Sequence, residues 1–250
     1  MLRALAILIL SLYSFIPNVF GQIVNIEQAR IRTDTIGWTG HTDLNFQTIK
    51  YEEVLYNVGL KGSAQWKNEK KLWLLLGDVS YAASTNEVFN NSGLLHLRYN
   101  RKLNSKVKWE AFSQLQYNQL LALNYRLLNG TGFRFSIVNK ESTRLYTGTL
   151  LMQELENIRG LYKNTSDFRL SNYVSMNLNK KQWAYSSTVY FQPRLDFWKD
   201  YRVSGQHTVS TSLGHHMRLK FELSHFYDSN PPLNVPKSTV MTNVGLGIDL

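Results

Sequence analysis

The chain contains no cysteine, and this absence removes several kinds of chemistry. Disulfides, thiolate metal sites and lipid attachment to an N-terminal cysteine all need the missing thiol. No motif in the chain indicates a cofactor, so we expect none.

Long apolar segments are also missing beyond the N-terminus. The longest aliphatic or aromatic run there, Leu72 to Leu76, is far shorter than the roughly 20 residues of a spanning helix. If this chain crosses a membrane, a closed β-barrel is the architecture that remains.

The first residues fit an export signal. Arg3 supplies a positive start, Ala4 to Leu12 an apolar stretch, and Val19 to Gly21 a cleavage site before Gln22. We therefore predict a signal peptide over residues 1–21, a periplasmic segment over 22–36 and a barrel over 37–250.

Charged residues are scarce, at 18%, and their balance is basic, with a formal net charge of +10. A basic excess is typical of proteins that meet nucleic acid, anionic lipid or an anionic solute. Export makes nucleic acid an unsuitable partner. We expect outer-membrane lipid as the surroundings and a small anionic solute as a candidate ligand.

Apolar residues alternate with polar or small ones, most regularly at the C-terminus. From Val240 to Leu250 every second residue belongs to one nearly apolar set: Val240, Thr242, Val244, Leu246, Ile248 and Leu250. A period of two gives a strand one lipid-facing side and one water-facing side. Such a last strand would close a barrel against the first, and the barrel assembly machinery would bind it during biogenesis.

About twelve such segments follow one another from Gly37, including a long one over residues 183–197. Short polar turns alternate with longer connections at 84–91, 157–166 and 229–237. The third segment, Leu72 to Ala83, is apolar on both faces at its start, so its orientation stays open. The pattern predicts an all-β fold, a transmembrane antiparallel β-barrel of about 12 strands of the outer-membrane type.

Short motifs add a family resemblance over about residues 37–250. Gly37 to Gly40, Asn129 to Phe133, Tyr227 to Pro232 and Gly245 to Gly247 resemble the salt-induced outer-membrane protein family, catalogued as domain of unknown function 481. The resemblance implies an outer-membrane barrel and no established chemistry.

Charged residues in the phase opposite the lipid-facing ones are candidates to line the barrel interior. They are Arg98, Lys108, Glu110, Arg134, Arg194, Asp196, Arg218, Lys220 and Glu222. Charges of both signs can pair across a narrow barrel and fill it. The alternative is a pore in which the basic excess favours anions.

Catalytic alternatives depend on histidine. His207 and His225 fall in the lipid-facing phase, and Ser187 is a candidate cross-strand partner, as a lipid-modifying hydrolase would need. His41 shares a face with Thr39 and Asp43, which suits a hydrogen-bonded interior group.

The adjacent pair His215 and His216 is at most half a metal site, so we expect no metal. A soluble exported β-sandwich or lipocalin-like binder would have an apolar interior at the positions of Arg98, Arg194 and Lys220, so these residues argue against that fold. We therefore expect no enzymatic activity, and a role in envelope structure or in narrow, anion-leaning solute passage.

Overall fold

A computed structural model describes residues 36–50, 53–160, 164–214, 217–233 and 235–248. The predicted signal peptide, most of the predicted periplasmic segment, and the pair His215 and His216 lie outside these residues. Within the described ranges, none of the helical structure is long and apolar enough to cross a bilayer. A single turn of 3₁₀ helix, Gln119–Leu121, follows one of the strands.

The described residues form twelve strands, numbered in chain order. They are β1 (Gly37–Lys50), β2 (Val54–Lys67), β3 (Lys71–Ala83), β4 (Val88–Lys102), β5 (Val107–Asn118), β6 (Leu123–Lys140), β7 (Thr143–Ile158), β8 (Thr165–Asn179), β9 (Trp183–Pro193), β10 (Tyr201–Ser212), β11 (Met217–Asp228) and β12 (Ser238–Ile248).

Every strand pairs antiparallel with its neighbours in the chain, which gives one sheet in the order β1 to β12. The prediction of an all-β fold with about twelve antiparallel strands is confirmed. In the described part of the chain β1 pairs with β2 alone and β12 with β11 alone.

The connections differ between the two ends of the sheet. At one end, which we call the turn end, the links are short, and Asn68 and Asn104 close two of them by accepting hydrogen bonds from backbone N–H groups two and three residues later. The other end, which we call the loop end, carries the longer connections, including residues 194–200 and 229–237.

The two faces of the sheet have opposite chemistry. One face, which we call the inner face, carries most of the polar and charged side chains, and many of them are buried; the outer face carries exposed apolar side chains. The third strand follows the same rule, because Leu74 and Leu76 pack together on the inner face while Trp73 and Leu75 are exposed on the outer face. Its doubly apolar start therefore reflects an apolar patch inside the sheet.

One predicted strand is shorter than expected. The alternation predicts a strand over 183–197, but β9 ends at Pro193. Arg194 still forms an isolated antiparallel bridge with Arg169, and the chain then reverses, since the backbone N–H of Asp200 donates to the carbonyl of Phe197 at 2.9 Å. The prediction of a strand as far as residue 197 is wrong because local alternation continues into this turn.

The sheet is strongly curved. Side chains of β5 and β8 meet, since the Tyr173 hydroxyl donates to Glu110 at 2.9 Å. Arg98 on β4 and Phe226 on β11 line one cavity, although seven strand spacings of a flat sheet would separate them by roughly 33 Å. The inner face is therefore the concave one.

Candidate functional site

Charged side chains are buried on the concave face, which is the reverse of a soluble protein. Five arginines and five carboxylates are buried among the described residues: Arg98, Arg126, Arg134, Arg169, Arg202, Glu110, Glu154, Glu156, Asp200 and Asp228. Buried charges persist where opposite charges and hydrogen bonds compensate their lost hydration. The numbers of the two signs are equal, and the contacts fall into two clusters.

Arg202 organises the first cluster, which lies towards the loop end. Its guanidinium donates to Glu154 Oε1 at 2.6 Å, to Glu156 Oε1 at 3.2 Å and to Asp228 Oδ2 at 2.8 Å. Glu154 and Glu156 stand on β7, three strands from β10, whereas Asp228 is on the adjacent β11. One side chain therefore connects distant strands across the concave face.

Two further arginines complete this cluster. Arg169 donates to Glu154 Oε2 at 3.0 Å and to Asp200 Oδ1 at 2.9 Å. Arg126 pairs with Glu156 and lies 3.7 Å from Glu154. The name loop-end cluster denotes these three arginines with the four carboxylates that they contact.

The second cluster lies nearer the turn end and centres on Glu110, which is completely buried. Arg98 donates to Glu110 Oε2 at 3.3 Å, and Tyr173 donates to the same oxygen at 2.9 Å. Arg134 lies 3.9 Å from the other carboxylate oxygen and stacks over the Tyr146 ring at 4.0 Å. We call these five residues the turn-end cluster.

A cavity of about 30 Å³ is lined by residues of both clusters together with His96, Gln114 and Tyr190. His96 Nδ1 lies 2.9 Å from Gln114 Oε1, and the Gln114 amide donates to Gln116 at 2.7 Å. A space of this size holds water but no organic solute. Around this cavity, side chains of the two clusters fill the concave face.

The nine candidate interior residues are distributed unevenly. Arg98, Glu110 and Arg134 belong to the turn-end cluster. Lys108 and Glu222 are half-buried, whereas Arg218 and Lys220 are exposed.

Arg194 and Asp196 lie in the loop after β9 rather than on a strand. Arg194 is half-buried and forms a pair of hydrogen bonds with the exposed Asp196, with one distance of 2.7 Å. It also contacts Asp167 at 3.7 Å and Asp200 at 3.4 Å. This small group covers the loop end of the buried cluster.

None of the seven residues of the loop-end cluster was among the candidates drawn from the sequence. Residues 143–155 and 167–178 alternate weakly, so the alternation alone does not assign Glu154 and Arg169 to the inner face. The order Gln153-Glu154-Leu155-Glu156 did hold a usable signal, because two carboxylates spaced by two residues share one face of a strand.

On β1, His41 Nε2 lies 2.9 Å from Asp43 Oδ1, and both side chains are exposed. The described residues contain no group of three or more histidine, aspartate or glutamate side chains arranged to hold a metal ion.

A polar group also stands on the outer face. Ser187 Oγ lies 2.9 Å from His207 Nδ1, and the Tyr185 hydroxyl lies 3.4 Å from the same nitrogen. The His207 ring stacks on His225 with 5.4 Å between centroids. The candidate cross-strand partner of His207, Ser187, is therefore within hydrogen-bond distance of it.

Fold and site together define an antiparallel β-sheet protein with a charged, filled concave face and an apolar convex face. The chain belongs to the family described as "Protein of unknown function, DUF481", whose match covers residues 55–250. The resemblance drawn from the sequence motifs is thereby confirmed.

In fold the chain is similar to the NanC porin in its rhombohedral crystal form, with a TM-score of 0.51 and 9% identity over 85% of this chain and 98% of that one. The siderophore receptor PirA from Pseudomonas aeruginosa gives a TM-score of 0.42 and 13% identity over 86% of this chain and 47% of that one. The translocator domain of autotransporter NalP from Neisseria meningitidis gives a TM-score of 0.40 and 10% identity over 89% of this chain and 92% of that one. The similarity to the porin concerns the fold alone. Comparison with curated protein sequences gives no match.

Proposed function

We propose that the sheet closes between β1 and β12 into a barrel that spans the outer membrane. Support comes from the strong curvature, from the neighbour-to-neighbour strand order and from the porin-like fold. Closure would pair the two remaining sheet edges, which no hydrocarbon environment tolerates unpaired.

Aromatic side chains on the outer face support the proposed membrane position. At the turn end, Tyr99 contacts Trp73 and Trp109, with ring centroids 4.6 and 5.8 Å apart. At the loop end, Tyr201 contacts Phe191 and Tyr227 at 5.7 and 5.8 Å. Amphipathic rings settle at headgroup depth, so two such rows suit the two boundaries of a bilayer.

Inside this barrel the charged clusters act as a filling. A closed barrel of twelve strands tilted by about 40° would be roughly 24 Å across between backbones, and long side chains can bridge the shorter distance between strands that are three apart. Arg202, which contacts carboxylates three strands away, is the observation that carries this proposal. We propose a structural role in the envelope, with an interior that is occluded in this state, and no enzymatic activity.

Planar-bilayer conductance of the refolded protein tests the occlusion, with heat-dependent gel mobility as the check that the barrel has folded. We expect the native chain to give no steps above the lipid background. Replacing Arg202 and Glu154 together by serine should open steps, because both sides of the bridge across the interior are removed. The pair of the exposed Lys220 and the half-buried Glu222, replaced by serine in the same way, is the matched control.

Solute passage remains the competing role within the same fold. The buried charges balance, so an anion preference would have to come from the less buried cations Lys108, Arg194, Arg218 and Lys220. Stable anion-selective steps from the native chain that shrink when Arg194 or Lys220 is replaced would overturn the occluded barrel and establish an anion path.

A lipid-modifying hydrolase is the second candidate, and the contact between Ser187 and His207 is the observation that favours it. Its depth argues against it. His207 lies six residues from Tyr201 along β10, about 15 Å below the loop-end aromatic row, whereas lipid ester bonds sit near the headgroups.

Phospholipid and lipid A hydrolysis assays on the folded protein decide between these roles. We expect no turnover. Turnover that Ser187→Ala and His207→Ala both abolish, while Ser113→Ala on β5 leaves it intact, would establish the hydrolase.

Export and membrane location are proposed on the same basis as the barrel. We expect cleavage before Gln22, delivery by the barrel assembly machinery and recovery in the outer-membrane fraction. A mature N-terminus at a residue other than Gln22 would correct the predicted cleavage site. Recovery in the soluble periplasmic fraction would refute the membrane assignment.

A further inference from the structure

Three polar side chains form a row on the outer face of the middle strands. Ser113 on β5 stands directly opposite Asn129 on β6, and Asn129 stands directly opposite Gln153 on β7. Chain neighbours of the row, such as Leu128 and Glu154, are buried on the inner face. The three residues, which we call the amide row, therefore point away from the interior.

The amide row lies midway between the aromatic residues of its own strands. Along β5 its serine is four residues from Trp109 and four from Tyr117, and along β6 its asparagine is four residues from Tyr125 and four from Phe133. If these rings mark the bilayer boundaries, the row lies about 10 Å from each, at the depth of the acyl chains.

On the two strands before β5 the outer face is apolar at this depth. On β3 it presents Leu75 and Val79, and on β4 it presents Leu95 and Leu97, all of them exposed. Within the described part of the chain, no side chain of the amide row has a hydrogen-bond partner. Other polar groups of the outer face have partners within the sheet, as Ser187 has in His207, whereas lipid would offer the amide row no hydrogen bonds.

We propose that a second copy of this chain packs against the sector around the amide row. An amide carries both donors and an acceptor, so two such rows facing each other about a two-fold axis can satisfy each other. Leu115, Leu127 and Leu151 flank the row and would supply apolar contact around the hydrogen bonds. The inference rests on the proposed membrane position.

Polar side chains at lipid depth almost always face protein or an aqueous cavity rather than acyl chains. The amide row faces away from the cavity on the concave side of the sheet. A protein partner therefore remains, and self-complementarity favours an identical chain.

The absence of cysteine gives a clean test by disulfide trapping in native membranes. Asn129→Cys should form dimers of twice the chain mass that disappear on reduction. Val209→Cys, exposed on the outer face of the distant strand β10, is the matched control and should form at least tenfold fewer.

Each outcome has one meaning. Trapping at Asn129 and not at Val209 supports the dimer. No trapping, or equal trapping at both positions in a membrane-embedded protein, overturns it. An adduct with a different protein overturns the identical partner. Absence of the native chain from the membrane fraction would instead refute the proposed function, so the two failures are distinguishable.

A second measurement does not depend on disulfide geometry. In lipid nanodiscs or mild detergent, the native chain should show dimers by native mass spectrometry, and Asn129→Leu with Gln153→Leu should raise the dissociation constant at least tenfold. Both changes suit an outer-face position, so folding should be retained. An unchanged dissociation constant would overturn the assignment of the dimer to this sector.

Discussion

Replacing Arg202 by methionine should cost about 3–5 kcal/mol of folding free energy, because removing one partner from a buried ionic group leaves charge with neither water nor counter-ion. Arg202 is buried, and its guanidinium donates to Glu154, Glu156 and Asp228 at distances between 2.6 and 3.2 Å. The substitution would remove all of these hydrogen bonds at once.

The charge count of the loop-end cluster supports this magnitude. Three arginines face four carboxylates in the native cluster, and the substitution leaves two arginines facing four carboxylates. Methionine has a similar length and flexibility, so the loss of packing should be small beside the loss of charge. Glu154→Gln combined with Arg202→Met should recover part of the penalty, since one uncompensated carboxylate disappears as well.

Urea titration in lipid vesicles, followed by fluorescence of the six tryptophans, measures these energies. Lys220→Met is the control, because Lys220 pairs with Glu222 at 2.8 Å while about half of its side chain stays exposed; exposed pairs contribute about 0–1 kcal/mol. If Arg202→Met costs no more than this control, or if the double variant shows no coupling, the cluster does not hold the concave face together and the reasoning fails.

The remaining predictions concern close packing and one buried hydrogen bond. Gly132→Ala should destabilise the folded protein by about 1–3 kcal/mol, because the new methyl group would collide with the backbone around Thr149. The control is Gly77→Ala, whose methyl group would meet nothing within 4 Å and should be tolerated. Thermal unfolding compares the two variants, and equal effects would contradict the close packing at Gly132. Tyr173→Phe should lower the free energy of unfolding by about 1–3 kcal/mol, because it removes the hydroxyl that donates to Glu110 at 2.9 Å. A decrease of less than about half a kcal/mol in urea titration would show that water replaces the hydroxyl.

Strand number and order could be predicted because they depend on local information. Period-two alternation and the polar turns between strands are written in consecutive residues, so the prediction of twelve antiparallel strands is confirmed. The end of β9 could not be found in this way, since the turn that reverses the chain, where the N–H of Asp200 donates to the carbonyl of Phe197, lies inside a stretch that still alternates.

The partners within the charged interior were beyond local reasoning. Alternation assigns Arg98 and Glu110 to one face, and the adjacent strands bring them together. The contact between Arg202 and Glu154 joins strands three apart, so it depends on how tightly the sheet curls. Curvature arises from twist and packing over the whole sheet, which a single strand's pattern does not contain.

The neighbour-to-neighbour strand order also has a kinetic consequence. All eleven pairings among the described strands join consecutive elements, so each can form as a local hairpin. The proposed twelfth pairing joins β1 and β12, about 200 residues apart, which in an unfolded chain adds roughly 3 kcal/mol of loop entropy over a short turn. In the proposed barrel, contacts such as those of Arg202, which join strands three apart, would hold the sheet curved while its edges are still unpaired. The buried charges would then act as a template that brings the two ends of the chain together, with closure as the last step of assembly.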